Sequence, residues 1–415
     1  MKTMKTEKLF DIRSIESNRE IAASVIAQSL RLGSLALAVG AGASAGLGLP
    51  LWYELVQRCL DKAAIKEKVS KDTPSTNLRF LVDRVETTLG SNYLTTVRDA
   101  LYERTGASAV LTFPDFKDLP ALTARFRNDN HPLVRLLRGQ FSPSTQTLLE
   151  NSMLTSDHLQ SVVLVELNRI LRDTSLYSDP TLFEGVVLSE ETRGAIQHGA
   201  TGFRLNRLLL EDTFPTEMSR NRYSVVLKQD LLLSLGALLM GSRRGSIAEV
   251  LNFNFDNMLQ WYLGLHGFTT QIVTEFPMLR KDVDVTVFHP HGYLPKDSPS
   301  SEFSKKLTFS QYSYDETIAH FESDLRVVQT VQILRSKEIL FIGLSGNDPI
   351  FGPLLVKVVP EIGRSRYTGY WFFGPGVDPQ VIDAVRSRNV VPLKFDSFQE
   401  ISEFLLTVCQ EAAIL

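Results

Sequence analysis

Cysteine is nearly missing from this chain: Cys59 and Cys409 are the only two among 415 residues, and both sit in apolar helical patterns. A disulfide framework or a four-cysteine zinc site cannot be built from them within one chain. An excess of one charge is missing too, with 44 Lys and Arg against 47 Asp and Glu and a formal net charge of -3. A chain that coats nucleic acid needs net or clustered cations, so nucleic acid is expected only through a complex. Unbroken hydrophobic runs are also lacking. The most apolar stretch, Leu35 to Trp52, is interrupted by Gly40, Gly42, Gly46, Gly48 and Pro50, and reads as a strand and a turn with no membrane span. Met1 to Glu20 is charged throughout without the apolar core of a signal peptide, so a cytoplasmic location is expected. No Gly-Lys-Ser/Thr follows a glycine loop anywhere, which disfavours ATP hydrolysis by the chain itself.

What is present is ample core material, with 43% hydrophobic residues. The length suits one large α/β domain with an insertion, or two domains. Asn18 to Leu32 carries apolar positions at helical spacing, Leu35 to Val39 is a short continuous apolar run, and Trp52 to Ala63 resumes helical spacing after the glycines. Strand, glycine turn and helix make half of a nucleotide-binding unit. From about Asn77 to Met240 the pattern is mainly helical. Past Gly245, strands are expected at Ile247–Leu251, Thr270–Val273, Val283–Phe288, Ile339–Ile342, Gly369–Phe373 and Val390–Phe395. Helices are expected at Asn257–Leu265, Ile318–Leu334 and Phe398–Ala413. This alternation predicts a Rossmann-like, doubly wound parallel sheet: residues 1–76 and 245–415 form the sheet domain and residues 77–244 a helical insertion.

Four strands end in small polar clusters, where such sheets bind ligands. Gly40-Ala41-Gly42-Ala43-Ser44, continuing to Gly48 and Pro50, either lets backbone N–H groups approach a pyrophosphate or is a tight turn needing left-handed glycine. Asn252 to Asn257 offers Asn254 and Asp256 to orient a ribose or a water, or Asp256 to cap the next helix. His289-Pro290-His291-Gly292 closes an alternating strand and sets His291 at the sheet end as a candidate general base. Gly343-Leu344-Ser345 runs into Asp348-Pro349, which would open a helix; the cluster is a ribose or phosphate contact or a capped turn. His198-Gly199 and His266-Gly267 show that the His-Gly pair alone means little. A metal reading of His289 with His291, or of Asp282 with Asp284, lacks a third ligand, and no metal is expected.

In chain order, Gly40-Ala41-Gly42-Ala43-Ser44 with Gly48 and Pro50, Asn254-Phe255-Asp256, His291-Gly292 and Gly343-Leu344-Ser345 resemble the signature of the sirtuins. The resemblance implies NAD as the substrate, with pyrophosphate on Gly40, Ala41, Gly42 and Ser44 beside Pro50, and adenosine near Gly343, Ser345 and Gly374. It implies the nicotinamide ribose between Asn254 and His291, with Asp256 positioning them. Two departures matter. The paired cysteines of the zinc module are absent, and Leu51-Trp52-Tyr53-Glu54 stands where protein-deacylating sirtuins carry an acidic-aromatic-Arg run. The chain is therefore more similar to sirtuin-like NAD hydrolases of bacterial anti-phage systems. Its size resembles the sirtuin component of the Nezha type, which pairs with a HerA-type hexameric ATPase. A homo-oligomer and that ATPase are the expected partners, and NAD-dependent deacylation or non-catalytic sensing of NAD or ADP-ribose are the alternatives. Arg204 to Arg207 and Arg220 to Arg222 could meet an acidic partner or DNA, or could be solvated helix faces.

Overall fold

A computed structural model describes residues 11–103, 110–113, 119–128, 132–150, 159, 162–163, 165–166, 170, 187–198, 208, 222–225, 230–240, 247–265, 268–274, 282–296, 298–346, 352–356 and 367–414. Its strands in chain order are β1 (Leu35–Val39), β2 (Val110–Phe113), β3 (Arg222–Val225), β4 (Glu249–Asn252), β5 (Thr270–Val273), β6 (Val285–Phe288), β7 (Glu338–Ile342), β8 (Gly369–Phe373) and β9 (Val390–Lys394). Seven of them form one sheet in the order β5-β6-β4-β1-β7-β8-β9, every pair parallel. This is the expected α/β, Rossmann-like architecture. β2 and β3 make a separate antiparallel pair inside the stretch expected to be mainly helical.

All five residues of β1 are buried, as a central strand covered on both faces requires. Leu35, Leu37 and Val39 point into one core, shared with the helices Arg19–Arg31, Asp230–Met240 and Phe398–Ile414. Ala36 and Ala38 point into the other, with Phe341, Trp371 and the helix Leu325–Ser336. The two-residue period of a strand makes this division. A third core joins the helices Trp52–Lys62, Ser75–Leu89 and Tyr93–Tyr102 to Leu294, Phe303, Leu307 and Phe309. The stretch from Asn77 to Met240 thus divides its described helices between two cores, the early ones beside β1's glycine loop and Asp230–Met240 against the C-terminal helix.

Two expected boundaries are corrected. The helix expected over Ile318–Leu334 is two helices, Gln311–Ala319 and Leu325–Ser336. Asp324 ends the run by capping the second: its carboxylate accepts from the Arg326 N–H at 2.8 Å while its own N–H donates to His320 O at 2.7 Å. The strand expected at Ile247–Leu251 is Glu249–Asn252, so Asn252 is the last strand residue, in register with Val39. His266, Gly267, Asp348, Pro349 and Arg204 to Arg207 lie outside the described residues.

Candidate active site

The four polar clusters follow β6, β4, β1 and β7, which are neighbours in the sheet, so the sequence's scattered motifs meet along one edge at the carboxyl ends of adjacent strands. On the β1 and β7 side the site is made of backbone. The Gly42 N–H donates to Gly343 O at 3.0 Å and the Gly40 N–H to Ile342 O at 3.0 Å. A Cβ on Gly40 would stand 2.5 Å from Gly343 O, and one on Gly343 would stand 2.6 Å from the Ala43 nitrogen. Gly343 also has φ +70°, in the left-handed region. Gly40 and Gly42 do not have positive φ, so the tight-turn explanation fails for them; close approach of two loops is what excludes a side chain there. Gly48 at φ 86° is the residue that turns the loop toward buried Pro50 and the next helix.

On the β4 and β6 side the site is made of side chains held in place. Asn254, half-buried, donates through Nδ2 to Gly40 O at 2.9 Å and faces Ser44 Oγ at 3.4 Å, while its own N–H donates to Asn252 Oδ1. Among the described residues no protein donor reaches Asn254 Oδ1, which is left as an acceptor at the site. Asp256 is buried, accepts the Met258 N–H at 2.9 Å and takes a hydrogen bond from the Ser44 hydroxyl. It therefore caps the helix Met258–Leu265 and also braces the glycine loop. Burial holds its carboxyl above the usual range, opposed by the hydrogen bonds from Met258 and Ser44.

His291 stands three residues past β6, at the sheet end as expected, yet it is only 5% exposed. The expectation that this position would keep it out of the core is corrected: Phe253 and Tyr314 close over the ring edge-on, with centroids 5.0 and 5.7 Å away. The Thr308 N–H clamps His291 O at 2.7 Å, and Gly292, at φ +111°, leaves room for Leu307, which a Cβ would meet at 2.6 Å. The glycine of this His-Gly pair serves the crossing of residues 306–308.

His289, which sequence reasoning weighed only as a metal ligand with His291, is a second histidine of the site. It is buried between the Gln260 amide at Nε2 and Asn254 O, 3.0 Å from Nδ1. A carbonyl only accepts, so Nδ1 carries the proton and Nε2 receives the Gln260 N–H. Burial pushes this imidazole down to about 4, against the opposing hydrogen bond to Asn254, which keeps it neutral. The signal available in the sequence was Gln260 itself, one amide in the otherwise apolar Met258–Leu265.

Ser345 is exposed beside this edge, Ala41 is half-buried within the loop, and Gly374 directly follows β8, where a Cβ would meet the Phe398 ring at 2.4 Å. Gly374 is therefore a packing glycine at the neighbouring strand end. A cleft of about 1030 Å³ lines the outer edge of β5 and adjoins the site through Tyr293, whose ring lies 4.6 Å from that of His289, and through Val273, whose carbonyl accepts the His289 N–H at 3.0 Å. Among the described residues no group of three His, Cys, Asp or Glu side chains could hold a metal ion, and no helix is long and apolar enough to cross a membrane.

Residues 248–393 match the family model of the SIR2-like domain. That segment runs from β4 to β9 and contains three of the four clusters; the glycine loop after β1 lies outside it. The match supports a sirtuin-like family, and a SIR2-like domain suggests NAD-related chemistry. Together the two sides of the site offer side-chain-free backbone at Gly40, Gly42 and Gly343 and, among the described residues, an acceptor on Asn254 that no protein donor reaches. No curated protein matches this chain.

Proposed function

We propose that this chain is an NAD glycohydrolase that cleaves NAD to nicotinamide and ADP-ribose. The observation that carries the reading is Asn254: its side chain is tied to the glycine loop at Gly40 O, and its backbone carbonyl to His289 on the other half of the site. One residue thus spans the region between the loop that would hold pyrophosphate and the histidines that would face the ribose. In the reaction the ribose C1′–N bond breaks with its electron pair leaving on neutral nicotinamide, and the water oxygen bonds to C1′ as its proton is removed. No strong acid is needed. Asn254 Oδ1 orients the water or a ribose hydroxyl, His291 accepts the proton, and Asp256 acts at one remove by holding Ser44 and the start of the next helix. The Phe253 and Tyr314 rings exclude bulk water around His291, which strengthens each polar contact there.

By its resemblance, the chain is the NAD-depleting effector of an anti-phage complex with a HerA-type ATPase, and a cytoplasmic NAD-consuming enzyme needs such a partner or a homo-oligomer to restrain it. The test is incubation of purified chain with NAD, with and without the ATPase, following nicotinamide and ADP-ribose by chromatography. Equal amounts of the two products, lost in an Asn254→Ala, His291→Ala double variant, is the expected result. NAD bound but intact under both conditions would turn the reading to a sensor.

A further inference from the structure

Two buried N–H donors that have no acceptor among the described residues lie against one ring beside this site. Arg79, on the helix Ser75–Leu89, is 7% exposed, and its guanidinium stands 5.2 Å from the centroid of the Tyr314 ring. Its Nε donates to Gln311 Oε1 at 2.8 Å and its Nη2 to Thr76 Oγ1 at 3.3 Å, both neutral groups. Its Nη1 is buried with no hydrogen-bond partner among the described residues, and no carboxylate there pairs with it. Asp83, one turn further on, accepts the Tyr312 N–H instead, at 3.1 Å. On the same Tyr314 ring lies Trp52, stacked at 5.9 Å, whose indole Nε1 is likewise buried without a partner. The third neighbour of that ring is His291.

A cation buried away from water is costly unless an anion meets it, and an orphaned buried donor forfeits its hydration for nothing. Two such donors on one aromatic shelf, next to the proposed general base, describe a receptor lacking its acceptor. We propose that Arg79, assisted by the Trp52 indole N–H, receives a phosphate oxyanion of the nucleotide bound at this site. The inference rests on the nucleotide reading above and adds a binding residue from a helix outside the segment that matches the SIR2-like domain. Neither donor atom is open to solvent as it stands, so the anion reaches them by shifting the Trp52–Tyr314 stack, and Trp52 fluorescence reports its arrival.

The experiment uses the full chain and three probes, inorganic pyrophosphate, ADP-ribose and phosphate-free nicotinamide riboside, measured by melting temperature and tryptophan fluorescence. Arg79→Met keeps the bulk and removes the charge. Its apo form should melt no lower than wild type, because the uncompensated cation is gone, while its dissociation constants for pyrophosphate and ADP-ribose rise about tenfold or more. Nicotinamide riboside binding should stay as in wild type. With NAD as substrate, KM rises while kcat keeps its pH profile. Trp52→Phe keeps the aromatic shelf and should weaken ADP-ribose a few-fold by loss of one hydrogen bond.

Unchanged constants for pyrophosphate and ADP-ribose in a folded Arg79→Met overturn the inference, as does wild type that binds neither probe. If Arg79→Met melts far below wild type, Trp52→Phe decides, and an unchanged ADP-ribose constant there overturns it. Should wild type bind ADP-ribose through Arg79 yet never cleave NAD, the hydrolase reading falls and the anion site stands. Cleavage with KM indifferent to Arg79→Met leaves the hydrolase and removes the anion site.

Discussion

The two halves of the candidate site are built by opposite means. After β1 and β7 the chain removes side chains, so that two loops touch backbone to backbone at Gly40, Gly42 and Gly343. After β4 and β6 it adds them, and fixes Asn254, Asp256, His289 and His291 by burial and hydrogen bonds. A side-chain-free surface lets a ligand's charged, featureless part lie against main chain, while fixed side chains supply the directional acceptor and base that a reacting atom needs. The contrast makes the halves separable: substitutions on the first should cost binding and stability together, and those on the second should cost turnover with the fold kept.

The largest effect expected is on the side-chain half. His291→Ala should lower NAD turnover by about 10²–10⁴, the usual contribution of one positioned base, with the circular dichroism spectrum of wild type. An unchanged rate in the folded variant would remove His291 from the chemistry and blur the contrast.

Next is the backbone half, where two glycines of similar φ can be compared. Gly343→Ala places a methyl 2.6 Å from the Ala43 nitrogen at φ +70°, whereas Gly376→Ala at φ +78° meets nothing within 4 Å. Chemical denaturation should show Gly376→Ala costing about 1 kcal/mol, from backbone conformation alone. Gly343→Ala should cost about 2–3 kcal/mol more and raise the NAD KM, because loops must separate. Equal losses at both positions would mean that the close approach contributes nothing.

A smaller effect concerns pH. His289 is held down to about 4 in the fold by burial, against 6.5 for the ordinary imidazole, so between those values the unfolded chain binds a proton that the folded chain excludes. Stability is whole above the higher value and falls as pH drops toward the lower one. Melting curves from neutral to acid should therefore fall more steeply for wild type than for His289→Gln, which cannot titrate. Parallel curves would show that the buried histidine is not a pH-sensitive part of the side-chain half.

The smallest effect is a control outside both halves. Burial pushes the Cys59 and Cys409 thiols up to about 12, so neither should react with an aromatic disulfide reagent at neutral pH until the chain is unfolded, and NAD chemistry should survive the treatment.

Much of the fold was legible because its signals are local. Leu35 to Val39 is uniformly apolar and five residues long, and Thr270–Val273 and Gly369–Phe373 fall where their apolar runs lie. The break at Asp324 was less legible, since apolar spacing continues across it and only the capping carboxylate marks the boundary. Within the site, Asn254, Asp256 and His291 could be named from strand-end position. Arg79 could not, because it is one of several polar residues in the helix Ser75–Leu89, and Gln260, though conspicuous in an apolar helix, gives no hint of which partner it meets until distant elements are packed against it.

The amino-acid order by itself determined where the strands of the parallel sheet form, to within a few residues, and that four polar clusters end four of them, for these follow from side-chain period and glycine placement over a few residues. Only the tertiary structure decided that those four strands are neighbours, that Gly40 and Gly42 are small because Gly343 lies against them, and that His289 is neutral while Arg79 meets no counter-charge among the described residues. Each of those properties depends on burial and on partners tens to hundreds of residues away, and both exist only once the sheet has closed its cores.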